Sequence, residues 1–245
     1  MVSFLAILGL PENMPIEIAE NMLRGINDLV RELGTTTITG GHTVLNPWPI
    51  VGGVASGIAH PSQIVSHRDA QPGDIVLLTK PLGTQPAMAV YRGLRDPGVA
   101  ELILGLMSRK AASEIVEKGL EVMTTTNKPV AEAMSVVKPH ASTDVTGFGL
   151  KGHSQEIARS SNVDIEIHTI PIIKGTLEVS DLFGYGLHSG ESAETAGGMI
   201  LVVSESMREG LEFELSRRSV DFYEIGRVKE GAGRVDISRA EVLEV

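Results

Sequence analysis

Cysteine is absent from the 245-residue chain, which excludes disulfides, thiolate metal sites and a cysteine nucleophile among these residues and leaves the redox compartment open. Positive charge is also short: 21 Lys and Arg stand against 31 Asp and Glu, a formal net charge of −10 with a pI near 5.2. That balance argues against an extended nucleic-acid-binding face, and it means that an anionic ligand needs a bound cation or local backbone amides. No apolar run reaches the ~18 to 20 residues that span a bilayer, so no membrane segment is expected. The opening Met1-Val2-Ser3-Phe4 has no basic residue ahead of an apolar stretch, which argues against a signal peptide and makes the cytoplasm the default location. The seven histidines are scattered, with no i, i+4 pair beside an acid, which argues against zinc.

What remains is a chain long enough to bury a sizeable core, of a length that suits two modest domains. Gln71-Pro72-Gly73-Asp74 changes abruptly into the apolar run Ile75 to Thr79, and the junction is placed there, giving domains 1–71 and 72–245. The first holds an apolar run, Leu5 to Leu10, that suits a buried strand or the tail of a helix. A helical pattern follows, opened by Pro15, with Ile16, Ala19, Met22, Leu23, Ile26, Leu29, Val30 and Leu33 on one face and Gly34 as the stop. Strands are expected at Thr35 to Thr39 and Pro49 to Ile58, with Gly40-Gly41-His42-Thr43 as a glycine loop between them. Trp48, between two prolines, suits an interface better than a base stack.

In the second part, Gly98 to Val137 reads as helical and Asn127 with Pro129 restarts a helix. Strands are read at Val163 to His168, Met199 to Val203 and Tyr223 to Val228, and a surface helix at Glu205 to Arg217. Gly184 to Glu194, rich in glycine and serine, is expected to be a mobile loop. Lys80, leaving a strand, is read as a solvated lysine before a phosphate ligand.

The stretch that points to chemistry is Ala141 to Leu150, where a β-prone run delivers Asp144 into a turn holding Gly147 and Gly149, and a helix begins at once. The glycines permit positive φ and close approach of a ligand, and the amides that open the helix are expected to be unpaired donors that favour anions. A carboxylate beside such amides would repel a phosphate unless a cation sat between them, which suggests Mg²⁺ bridging Asp144 to phosphate. The plain alternative is an aspartate that caps a turn.

Asp144-Val145-Thr146-Gly147-Phe148-Gly149-Leu150 followed by Gly152-His153 resembles the signature of the selenophosphate synthetase (selenide, water dikinase) family. Phe4 to Pro11, Thr39-Gly40-Gly41-His42-Thr43 and Asp74 to Thr84 fall in that family's order. The resemblance implies an α+β chain of two α/β domains of the aminoimidazole ribonucleotide synthetase-like type, the N-terminal one incomplete. It also implies ATP contacts at Gly40, Gly41, His42 and Thr43, Mg²⁺ at Asp144, a homodimer through the N-terminal sheets, and ATP and selenide as substrates for selenophosphate synthesis. No residue here is assigned a catalytic role, because the family's selenium-handling Cys or selenocysteine, its catalytic lysine and further aspartates lie upstream of the segment matching Phe4 to Pro11. Met1 reads as a cut, and the isolated chain is expected to be inactive. Where the family has Asp-Pro-Gln-Thr-Ser-Gly-Gly, this chain has Ser192-Ala193-Glu194-Thr195-Ala196-Gly197-Gly198. The alternative is a non-catalytic relative that binds a nucleotide or a partner. A purine or thiamine phosphate enzyme of the same fold fits the signature less well.

Overall fold

The computed structural model describes residues 2–34 and 37–245, and these form two compact units, Met1–Ile64 and Val65–Val245. In the first, β1 (Ser3–Leu10) leads through α1 (Ile16–Glu32) to β2 (Ile38–Leu45), and β3 (Ile50–Ser56) follows. The sheet order is β2-β1-β3, with β1 parallel to β2 and antiparallel to β3. Helix α1 ends on Gly34 in the left-handed region (φ +69°), as its glycine stop requires. Ala6 and Leu8 of β1 are buried with Ala19 and Val30 of α1, whereas Leu5 and Ile7 on the other face are exposed. The expected strand at Thr35 to Thr39 lies partly outside the described residues.

Gly40-Gly41-His42-Thr43 is the middle of β2 and not a loop between strands. The reason lies in β1: Gly41 pairs with Ala6, and a Cβ at Gly41 would overlap the Ala6 carbonyl oxygen. Two glycines in a row punctuate a sequence like a turn, but here a glycine is what lets two strands pair closely.

The second unit runs β4 (Ile75–Leu78), α2 (Thr84–Gly93), α3 (Pro97–Leu106), α4 (Arg109–Thr124), α5 (Lys128–Val136), β5 (Ala141–Asp144), α6 (Gly149–Ser161), β6 (Val163–Ile167), β7 (Thr169–Ile172) and α7 (Thr176–Phe183). It continues through β8 (Met199–Val203), α8 (Glu205–Ser216), β9 (Tyr223–Glu230), β10 (Val235–Asp236) and β11 (Glu241–Glu244). Six strands form one sheet in the order β10-β6-β9-β4-β8-β5, and β11 pairs with β7. Residues 65–71 are tied to this unit, since Ser142 N–H donates to Ser66 O and Ala70 N–H to Ser161 Oγ.

Strands β4 and β8 are apolar at every position because both faces of the sheet are covered. Val76, Leu78, Ile200 and Val202 join a core with Leu150 and Ile157 of α6, while Ile75, Leu77, Leu201 and Val203 pack with Val130 and Ala133 of α5 and Leu211 and Leu215 of α8. A third cluster holds α2, α3, α4 and α7 together through Ala87, Val90, Ile103, Ala112, Ile115 and Val179. Both β4 and β5 run antiparallel to β8. Their C-terminal ends therefore meet the start of β8 at one end of the sheet, where the site is built.

Candidate functional site

Asp144 is the last residue of the edge strand β5, paired with Met199. Its side chain is exposed, and no hydrogen bond or ion pair engages the carboxylate among the described residues. The turn that follows and helix α6 stand where the sequence puts them, and Phe148 at its tip is 70% exposed. Two of the expectations about that turn are corrected. Only Gly149 has positive φ (+65°), and a Cβ there would lie 2.5 Å from the Gly190 carbonyl oxygen; Gly147 has neither positive φ nor a neighbour within 4 Å of a Cβ. The amides opening α6 are also not all free: Gly149 N–H donates to Thr146 O (3.0 Å) and Lys151 N–H to Gly190 O (2.9 Å), while Gly152 N–H makes the first helical bond, to Phe148 O (3.2 Å). With these donors consumed, attraction for an anion at this turn rests on fewer amides than the sequence suggests and on a cation at Asp144.

The partner of the turn is the segment Gly190 to Gly198, which the sequence presents as part of a loop. It is packed and hydrogen-bonded instead. Leu187 is fully buried in a single-turn helix (Leu187–Ser189), and Ser192 and Glu194 are 1% and 4% exposed. Val145 N–H donates to Gly198 O and Glu194 N–H to Thr146 O, each at 2.9 Å, so both residues after Asp144 are fixed by this segment. Gly197 and Gly198 are required by close approach: a Cβ on the first would overlap Val145 O, and one on the second would sit 2.5 Å from Lys80 N. The ion pair of Lys151 with Glu191 (2.7 Å) adds a surface tie that holds the Glu191 carboxyl below its usual range.

Lys80 is neither solvated nor a phosphate ligand. It is 8% exposed, and its ammonium donates to Val122 O (3.1 Å), Thr125 O (2.6 Å) and Ala196 O (2.9 Å), which uses all three of its protons. Burial lowers its pKa to about 8. Asn127 completes this floor by donating from Nδ2 to Gly197 O (2.9 Å).

Glu194 caps the start of α2. Its Oε1 accepts from Gly83 N–H (2.8 Å), and its Oε2 accepts from Thr84 N–H (2.9 Å) and Thr84 Oγ1–H (2.5 Å). Burial raises its pKa to about 7 against the opposing pull of those bonds. Gln85 Oε1 accepts from Ser192 Oγ–H and Ala193 N–H, and Thr84 Oγ1 accepts from Thr195 N–H. Beneath the turn, His153 is buried with Nε2 3.1 Å from Thr146 Oγ1; its Nδ1 lies 3.4 Å from Glu156 Oε2 without a hydrogen bond. Sequence reasoning had no signal for Glu194 or Lys80 in these roles, because each acts on backbone more than a hundred or some forty residues away. His153 had one, its place in the signature.

A resident metal would need Asp144 as a ligand. No group of three or more His, Cys, Asp or Glu side chains gathers among the described residues. The donor set therefore fits a Mg²⁺ held by a single carboxylate with phosphate oxygens and water, and it does not fit an all-protein cage. Of the other expected residues, His42 lies in β2 opposite Ile7, and Gly40 opposite Leu5; Trp48 is 64% exposed.

Residues 71–238 match the family described as AIR synthase related protein, C-terminal domain, and residues 1–59 match its N-terminal domain. The selenide, water dikinase of Methanocaldococcus jannaschii is 41% identical over the whole of this chain and 71% of its own length, and that of Methanococcus maripaludis is 39% identical over the whole chain and 74% of its length. Human selenide, water dikinase 2 is 37% identical over 81% of the chain and 46% of its own length. Among solved structures, the Escherichia coli hydrogenase maturation protein HypE superposes with a TM-score of 0.74 at 18% identity, covering 96% of this chain and 69% of its own. Thiamine monophosphate kinase of Aquifex aeolicus gives 0.67 at 19%, covering 100% and 75%. These two likenesses establish the fold, and the dikinase identities go further: the chain belongs to the selenide, water dikinase family of AIR synthase related proteins.

Proposed function

We propose that the chain acts in the ATP-dependent synthesis of selenophosphate, in which ATP, selenide and water yield selenophosphate, AMP and phosphate. The observation that carries this reading is identity of 41% running through the whole chain and 71% of a relative named selenide, water dikinase. In the proposal, the first unit, within the expected domain 1–71, serves nucleotide binding and dimerisation, residues 72–245 together with the 65–71 segment packed on them form the synthetase-like domain, and the protein works in the cytoplasm as a homodimer. Asp144 supplies one ligand to a Mg²⁺ that also takes phosphate oxygens of ATP. When bound, that ion screens the triphosphate and offsets charge on the transferred group. The chain's own part is to hold Asp144 at the strand end with its carboxylate unencumbered, and to leave the space over Gly147 open. Gly40, Gly41, His42 and Thr43 contact the nucleotide.

One observation favours the second reading, a relative that binds nucleotide or a partner without turnover: the site holds one free carboxylate, and the segment beside it carries Ser192 and Ala193 in place of the family's Asp-Pro. Phosphorus NMR of ATP, Mg²⁺ and selenide separates the two. The chain extended with those segments of the Methanocaldococcus jannaschii relative that lie outside the match is expected to give AMP and selenophosphate, and Asp144→Asn in that protein to lower the rate by ~10² to 10³. No turnover by the extended protein would favour the binding reading. An Asp144→Asn variant that keeps its Mg²⁺ dependence would remove Asp144 from the site.

A further inference from the structure

Glu194 is the buried acid that the proposed chemistry does not use. It is 4% exposed, and no ion pair joins it among the described residues. Taking a carboxylate out of water without a countercharge is costly unless several donors meet it. Here three do, all from the first turn of α2, where the helix dipole also favours negative charge. The same residue's amide donates to Thr146 O, two residues beyond Asp144. One residue thus grips the start of α2 with its side chain and the Asp144 turn with its backbone.

We infer that Glu194 is a positioning residue for the Asp144 turn, acting through the segment Ser192–Gly198 that it clamps onto α2. The inference rests on the proposed function only in taking that turn as the phosphate end of the site. The two halves of the segment are held differently. Ala196 and Gly197 are fastened by Lys80 and Asn127. The side-chain bonds of residues 192 to 195 run to the start of α2, through the Glu194 carboxylate, Gln85 and Thr84 Oγ1, and Thr84 Oγ1 is itself oriented by donating to Glu194; their backbone adds the bond from Glu194 N–H to Thr146 O. Without the carboxylate, that hydroxyl loses its acceptor and the Gly83 and Thr84 amides lose theirs. Segment 192–195 then keeps only Gln85 and an unanchored Thr84 hydroxyl, and the bond from Glu194 N–H to Thr146 O is loosened with it. The Asp144 backbone stays in the β5 ladder beside Met199, but its carboxylate has no bond of its own among the described residues, so its direction follows the turn that begins one residue later.

Hydrogen exchange on the whole chain, read by mass spectrometry, tests this with Glu194→Ala and with Thr84→Val, which removes the hydroxyl that donates to Glu194 and accepts from Thr195 N–H and keeps the two backbone donors to the carboxylate. Glu194→Ala is expected to speed exchange at least ~10-fold in peptides spanning 144–149 as well as 83–86, with peptides over β4 and β9 unchanged. Thr84→Val should give a smaller rise, about 3-fold, in the same two places; it also serves if Glu194→Ala does not fold. Faster exchange confined to 83–86 would reduce Glu194 to a helix cap and overturn the inference. Titration with Mg²⁺ and ATP separates this result from the functional reading. Affinity lowered ~10-fold alongside faster exchange at 144–149 supports both, whereas unchanged affinity with that faster exchange leaves the positioning role intact and removes the turn from the nucleotide site.

Discussion

Two glycines a single residue apart, Gly147 and Gly149, answer to different constraints. Gly149 is glycine for the fold, with φ of +65° and the Gly190 carbonyl where a side chain would go. Gly149→Ala should therefore destabilise by ~2 to 3 kcal/mol in thermal or denaturant unfolding. Gly147 is under neither constraint, so Gly147→Ala should leave Tm within about 2 °C of the parent. If the turn receives phosphate, the same methyl should weaken Mg²⁺-ATP binding, and unchanged binding would mean that nothing approaches there. The charge state of Glu194 is legible in stability. Its carboxyl is raised from 4.5 to about 7, so the folded state holds a proton that the unfolded state has lost across that window. Stability from this group is full below pH 4.5, falls as pH rises toward 7 and is level above it. Relative to Glu194→Gln, the parent should be weaker at pH 8 than at pH 4.5 by up to about 3 kcal/mol in denaturant titrations. Equal differences at the two pH values would show that the carboxyl does not stay protonated on folding.

At the scale of elements, the sequence was most readable where one core decides everything. The runs Ile75–Leu78 and Met199–Val203 are unbroken because layers cover both faces of the sheet. The strand, turn and helix around Asp144 were also legible, since punctuation by glycine and hydrophobic spacing agree there. Helix α2 went unread because its buried positions include Thr84, Pro86, Ala87, Ala89 and Gly93, small residues that make little apolar pattern. Gly184 to Glu194 was misread for a related reason: its order comes from long-range bonds to Gln85, Thr84 and the Asp144 turn, and no local periodicity encodes those. Lys80 is the clearest case of an element-level fastener, joining the end of α4 to the segment beside the site. Lys80→Met should leave three carbonyls without their donor and cost on the order of 3 kcal/mol, or about 6 to 12 °C in Tm. A Tm within 2 °C of the parent would mean that water replaces the ammonium at little cost.

The whole molecule poses the question of what covers the sheet of the first unit. Three strands with one helix bury a single face. On the other face, β1 contributes Leu5 and Ile7, 43% and 45% exposed, and the register places Val54 beside Leu5 and both Val44 and Ile50 beside Gly9. These last three are 49%, 47% and 48% exposed. The glycines of this face, Gly40 opposite Leu5 and Gly52 opposite Ile7, keep it low and leave the aliphatic side chains as its relief. An exposed face of this kind, apolar apart from its glycines and His42 opposite Ile7, is what an isologous contact buries, and a second copy offers the same face. Sedimentation equilibrium should therefore find a dimer at micromolar concentration. Leu5→Glu with Val54→Glu places two carboxylates side by side in that contact, where four would be buried without partners across the two-fold axis, and it should shift the dimer constant by at least ~10³ while the melting of the second unit stays put. A parent chain that sediments as a monomer at tens of micromolar, or a double variant that dimerises as well as the parent, would mean that this face is not where two copies meet.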